Sequence, residues 1–348
     1  MKNSVWIAFL ILIALTIAFL STSNLTTNLI KIETASDSDL AISNGIKFLN
    51  SKYSKDYLFN DPYMTCTNQL PDCIRTYRRL DTATVITFFL SEDAKSRLLT
   101  NITADSDSII QRFLSVWKNE DSENKPIDLY AVFVYFFPNE TQFMLQDLIK
   151  KESLQGEWET YEFYDYYPGQ TYRKITDEAW PISAMAKNKV DFKILKPALD
   201  KKKEEAEKII NKEFNFTKQG SYFATAHILK VFYETEKSGY NISDYKETIN
   251  NIKYWLADEL TDPETRNWTV LMAEGLYWLS EVKYEDKDLL TEISRELIRR
   301  QEKDGGWKFR EMKLGENLDG IIVDETYYDT ARVQTTLLAI LALENLYV

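Results

Sequence analysis

Residues 297–307 read Leu297-Ile298-Arg299-Arg300-Gln301-Glu302-Lys303-Asp304-Gly305-Gly306-Trp307. The stretch leaves a charged, helix-forming segment and runs into two glycines and a tryptophan. Glycine takes left-handed dihedrals without a Cβ penalty, so Gly305 and Gly306 are expected to end the helix. Gln301 can bond peptide groups left open near that end. Trp307 has enough apolar area to pack back over the turn. These residues are therefore expected to brace the fold and not to carry chemistry.

Outward from this segment, helical periodicity dominates from Asp39 onward. Caps and stripes predict helices opening at Ser38/Asp39, Asp81, Asp105, Pro126 and Asn139. Others open near Thr176, Asp191, Ser221, Ser243, Asp262 and Glu285, and a last one begins at Asp324 to Tyr328 and runs to Leu346. Two kinds of helix alternate. Charged helices carry an aromatic-aliphatic pair late in their course: Phe48-Leu49, Phe113-Leu114 and Trp255-Leu256, with Glu296-Leu297 as a variant copy. More apolar helices open with a second unit. LDTATVITFFL from Leu80 and YDTARVQTTLL from Tyr328 share Asp, Thr, Ala, Val and a later Thr. Softer copies begin at Asp128, Asp177 and Tyr222. A helix apolar on most sides belongs to an inner layer, and a charged helix with one apolar stripe to an outer one.

The chain has 348 residues, 44% of them hydrophobic and 14% aromatic, enough for a sizeable core. Its net charge of -12 opposes phosphate backbones, so nucleic-acid binding is not expected. One His and two Cys are too few for most zinc chemistry, and no metal or cofactor is expected. Val5–Leu20 is an apolar run broken only by Thr16 and preceded by Lys2. It reads as a signal peptide or a signal anchor over residues 1–23, with the rest of the chain exported. Residues 24–38 read as a polar tether, and 39–348 as one domain. Export agrees with sequons at Asn24, Asn101, Asn139, Asn215, Asn241 and Asn267. It also agrees with Cys66 and Cys73 in one loop, which in an exported chain read as a disulfide.

The segment from Leu297 to Trp307 resembles the QW repeat of squalene/hopene cyclases and the related repeat of protein prenyltransferases. Leu297, Gln301, Gly305 and Trp307 match, and Glu296 stands where an aromatic is expected. Gly45-Ile46-Lys47-Phe48-Leu49 matches the front half, with Tyr53 in place of Gln. The resemblance implies an all-α fold, an α/α toroid of six inner and six outer helices around a central cavity, over residues 39–348. The family's chemistry does not carry over. No Asp-x-Asp-Asp acid motif and no Asp-Asp-x-x-Asp motif occurs; Asp105-Ser106-Asp107-Ser108 comes nearest. The zinc ligands of the prenyltransferases and the Gly-Cys-Gly-Glu-Gln thioester of complement-type toroids are also absent.

Two groups of residues remain as candidates. Asp81, Asp128, Asp177 and Asp329 recur at inner-helix starts, with Asp324 and Glu325 just ahead of the last. Helix capping explains them, and in a toroid they would also ring one mouth. There they could bind a cation or glycan or act as an acid–base pair. The stretch 155–174 brings Trp158, Tyr161, Tyr164, Asp165 and Tyr167 together, a composition that suits a lid, a protein interface or sugar rings. His227 reads as a helix residue with a satisfied ring.

Three functions follow as expectations. The first is an extracytoplasmic, membrane-anchored or secreted binding or assembly module with no catalytic role. Its partners would be the membrane, through the N-terminal helix, and a protein or glycan. The second is a carbohydrate-active hydrolase or lyase using carboxylates at the toroid mouth. The third is an isoprenoid cyclase-like or lipid-binding protein.

Overall fold

A computed structural model describes residues 37–51, 172–310 and 332–346. It also describes residues 53–54, 58–59, 131, 134–135, 145–146, 148–149, 317–318 and 321–322. The described residues are helical almost throughout. Nine helices can be followed among the described residues: α1 (37–51), α2 (Tyr172–Lys187), α3 (Phe192–Ile210), α4 (Lys218–Lys237), α5 (Lys246–Glu259), α6 (Pro263–Arg266), α7 (Thr269–Glu281), α8 (Lys287–Arg299) and α9 (Arg332–Asn345). Extended structure among those residues is confined to two antiparallel ladders of two residues per strand, β1 (Tyr53–Ser54) with β2 (Leu58–Phe59) and β3 (Asn317–Leu318) with β4 (Ile321–Ile322).

The helix starts follow side-chain caps. Asp191 accepts from the backbone of Lys193, Thr217 from Gly220, Asp262 from Glu264 and Thr265, and Asp286 from Leu289. Each bond satisfies an amide that has no intrahelical partner. Three boundaries differ from expectation. The helix expected to open near Ser221 opens earlier, because Thr217 supplies the cap. The segment from Asp262 divides into the four-residue α6 and then α7. In α1, Ser38 is buried within the helix.

Burial separates the helices into the two expected kinds. In α7 the run Thr269 to Leu276 is buried throughout, as are Trp278 and Leu279. In α8 only Leu290, Ile293, Ser294 and Leu297 are buried, a single stripe at helical spacing. Likewise α5 buries Thr248, Ile252, Leu256 and Ala257. Helix α2 packs on α4, α4 on α7 and α7 on α9, and the striped helices α3, α5 and α8 flank this series. Helix α7 was not recognised as an apolar copy from sequence, because it lacks the opening unit of LDTATVITFFL and YDTARVQTTLL.

The stretch from Leu297 to Trp307 does more than end a helix. Helix α8 stops at Arg299 with Arg300 as its C-cap, before the glycines are reached. Of the two glycines only Gly305 has a positive φ, +92°. Gly306 is required for closeness: a Cβ there would lie 2.7 Å from Arg332 Nη2 and 2.9 Å from the Phe48 ring. The amide nitrogen Nε2 of Gln301 donates to Gly305 O at 2.9 Å and to Ala41 O of α1 at 2.7 Å. Trp307 Nε1 donates to Leu297 O at 2.7 Å, so the indole folds back over the turn as predicted. Gly45 of α1 meets this indole: a Cβ there would sit 2.8 Å from Trp307 Cζ3 and 3.0 Å from the Ile340 side chain of α9. Arg332 of α9 donates to Asp304 at 2.6 Å and lies over the Phe48 ring, 4.6 Å from its centroid. The first described helix is thus held by the turn that follows α8 and by α9.

Glu296, the departure from the aromatic in this repeat, has its own role. It accepts from Arg299 at 2.6 and 2.9 Å and from Arg300 at 2.7 Å. The Arg299 bond and then Arg300 hold its carboxyl down to about 2, against an ordinary value of 4.5. A carboxyl lowered on folding stabilises above its unfolded pKa and loses that contribution as pH falls toward the folded value. Glu296→Gln should therefore be less stable than wild type at neutral pH, by no more than ~1 kcal/mol for so exposed a network. The two proteins should converge in urea titrations as the pH falls from about 4.5 to about 2.

Candidate functional site

The sequence-predicted sites lie almost wholly outside the described residues. This holds for Asp81, Asp128, Asp324, Glu325 and Asp329, for Trp158, Tyr161, Tyr164, Asp165 and Tyr167, for Cys66 and Cys73, and for Asn101 and Asn139. It also holds for the apolar segment 1–23 and the tether up to Ser36. The backbone of Asp177 lies in α2, but its side chain is not among those described. Three sequons can be placed. Asn215 lies between α3 and α4, Asn241 just after α4, and Asn267 between α6 and α7, and all three are exposed.

What the mostly buried helices α2, α4 and α7 bring together is a different set of residues. On α4, His227, Lys230 and Glu234 fall three and four apart, so they share one face. On α7, Glu274, Tyr277 and Glu281 do the same. Helix α2 adds Trp180 and Lys187, and Tyr135 completes the group.

Lys230 is 3% exposed, and its Nζ lies over the Trp180 ring and 5.2 Å from the centroid of Tyr135. Tyr135 packs edge-on against Trp180, with ring centroids 5.8 Å apart. Lys187 Nζ covers Tyr135 as well, 4.1 Å from its centroid. Ammonium groups over aromatic faces are attracted by the ring quadrupole. Burial pushes the Lys230 amine well below its ordinary range, while Glu234 and Glu274 pull it back up. Tyr135 donates to Glu234 Oε1 at 2.7 Å. Burial first, and then that carboxylate, hold the phenol well above its usual value, so it stays a donor.

Next along the layer, His227 Nδ1 lies 3.0 Å from Phe223 O and 3.1 Å from Glu274 Oε1. Two oxygens at that nitrogen require it to carry the hydrogen, which leaves Nε2 for other partners. The ring is satisfied as expected, but its partner is a buried acid on the adjacent helix. The other oxygen of Glu274, Oε2, is buried and has no hydrogen-bond partner among the described residues, and the same is true of Tyr222 OH. Further on, Glu281 accepts from Asn345 of α9 at 2.6 Å and bonds the Tyr233 phenol.

Sequence reasoning passed over Lys230, Glu234 and Glu274. The signal was present: each is a charge set inside an otherwise apolar run, FATAHILKVFYETE and TVLMAEGLYWL. A charge in such a position is buried with partners or serves a site.

Among the described residues no three His, Cys, Asp or Glu side chains converge to hold a metal ion. No helix among them is long and apolar enough to cross a membrane. Compared with known proteins, the chain matches no family model and no curated protein.

Proposed function

We propose that this protein is an exported α/α toroid, tethered through its N-terminal apolar segment, that works as a non-catalytic binding module. Support for the ring comes from the series α2, α4, α7 and α9, the flanking α3, α5 and α8, and the seating of α1 against the turn after α8 and against α9. In a ring the last helix pair packs on the first, where a solenoid leaves both ends open.

One observation carries the binding role: the inner-layer acids are committed to internal donors. Glu178 is held by Lys201 and Lys202, Glu234 by Tyr135, Glu281 by Asn345 and Tyr233, and one oxygen of Glu274 by His227. A general acid or base must reach a substrate proton, and carboxylates tied in this way serve that task poorly. They suit a preformed surface that holds a ligand without transforming it.

The ring is tested with spin labels at Ser43 and Lys303, both exposed positions. Neighbouring helices place the labels within about two helix diameters, roughly 20 Å. An open solenoid of six helix pairs separates them by more than about 50 Å. A single short distance in the full chain supports closure, and a long one overturns it. Export is tested separately. In a glycosylating host, Asn215, Asn241 and Asn267 should each acquire a glycan that an amidase removes with a mass shift. Absence of modification at all three would count against the extracytoplasmic placement.

A further inference from the structure

We infer that the rim formed by the C-terminal ends of α2, α4, α7 and α9 faces the lipid bilayer; this orients the tethered module proposed above and rests on its anchor. The four ends meet at one side of the molecule. Lys189, just after α2, donates to Ser238 O at the end of α4, and Tyr240 donates back to Val190 O. Tyr233, near the end of α4, packs edge-on against Trp278 of α7, with ring centroids 6.1 Å apart. Asn345 of α9 donates to Glu281, the last residue of α7, at 2.6 Å.

Helix α1 enters at the same rim, because it runs antiparallel to α9. Phe48, late in α1, lies under Arg332 at the start of α9, while Gly45, about one turn earlier, faces Ile340, about two turns further on. Followed back along its axis, α1 begins at Asp37 beside the C-terminal end of α9. The chain between the apolar segment 1–23 and Asp37 has about 13 residues, and a flexible linker of that length spans about 20 Å. The 20 residues of α4 set the opposite rim about 30 Å further away. A tether shorter than the body, attached at one rim, favours that rim toward the membrane. Charge does not oppose this placement: exposed Lys187, Lys237 and Lys283 are matched at the rim by Glu236, Glu285 and Asp286. The three placed sequons then divide. Asn241 follows α4 at the membrane rim, whereas Asn215 and Asn267 precede α4 and α7 at the far one.

The test uses the full chain in phosphatidylcholine vesicles that carry a lipid-linked acceptor fluorophore. A donor is attached through a genetically encoded azide at one of four exposed positions, Glu236 or Asp288 at the membrane rim and Glu213 or Glu264 at the far rim. Energy transfer is expected to be at least twofold more efficient from Glu236 and Asp288 than from Glu213 and Glu264. Inserting about 40 flexible residues after Ser36 should bring the two pairs together, because a longer linker frees the body to turn. Equal transfer from both rims, or stronger transfer from the far rim, in a chain that floats with the vesicles overturns the orientation and leaves the anchor in place. A difference that survives the longer linker overturns the tether as its cause. A chain that does not float with the vesicles overturns the tethered reading, and the orientation falls with it.

Discussion

Replacing Trp307 with alanine is expected to lower the unfolding free energy by about 3–5 kcal/mol, the range for truncating a fully buried aromatic. Trp307 is 0% exposed. Its Nε1 bonds Leu297 O, its backbone nitrogen donates to Thr336 Oγ1 at 3.1 Å, and its ring lies against the glycine face of α1. Three segments distant in the chain therefore lose contact at once. Collapse cannot fill the space cheaply, because Gly45 has no side chain to move into it and Gly305 is pinned against the Asn44 carbonyl. Trp307→Phe separates the two contributions. It keeps most of the apolar area and removes one of the two donors to Leu297 O, which still accepts from the Arg300 backbone, at a cost of about 1 kcal/mol. Urea midpoints for the three proteins decide the matter, and a loss below 1 kcal/mol in the alanine variant would show that α1 is not held by this turn. Gly45→Val should act in the same direction, since its branched side chain would enter the space of the Trp307 and Ile340 rotamers.

That turn was also the most legible part of the chain. Its glycines, glutamine and tryptophan each have narrow physical uses, and their spacing leaves few arrangements. The sequence pattern overstated one point: both glycines were expected to end the helix, yet Arg300 ends it and Gly305 alone takes the left-handed conformation. Residue type reports that a backbone is unusual; it does not distinguish a positive φ from a close approach. The alternation of apolar and charged helices was equally readable, because burial on one side or on all sides leaves different periodicities. The buried charged group on α4 and α7 was not. Lys230, Glu234 and Glu274 are ordinary helix-forming residues, and their meaning depends on which helix lies opposite. Only the pairing of α4 with α7 and α2 turns them into one patch. The carboxyl side chains expected at inner-helix starts and the aromatic cluster from Trp158 to Tyr167 fall outside the described residues.

The second large effect is expected at Lys202, which lies on the inward side of the charged helix α3. It is 0% exposed, yet its Nζ contacts Glu178 Oε2 of α2 at 2.7 Å and Glu205 Oε2 at 2.6 Å. Lys201 supports the same cluster, 3.0 Å from Glu178 and 3.8 Å from Glu205. Exchanging Lys202 for methionine keeps the volume and removes the charge between two carboxylates. Breaking a buried ion pair on one side costs about 3–5 kcal/mol, since the remaining charge has lost its compensation. Lys201 still engages Glu178, so the lower end of that range is expected. The pH dependence supplies a sharper test. Burial already raises the Glu205 carboxyl, with Lys202 pulling it down and Glu178 pushing it up. Without Lys202 the folded-state pKa climbs further above the unfolded value. A carboxyl raised on folding favours the protonated fold, so stability returns as pH drops through the folded pKa and is lost as pH rises through it. The gap between Lys202→Met and wild type should therefore shrink as the pH falls from neutral toward the ordinary carboxylate value of 4.5. In Lys202→Met/Glu205→Gln, where the second acid is neutral at every pH, most of the loss at pH 7 should disappear. A deficit that stays constant with pH, or that the second substitution fails to relieve, would mean that the lysine acts through its aliphatic stem and not through its charge.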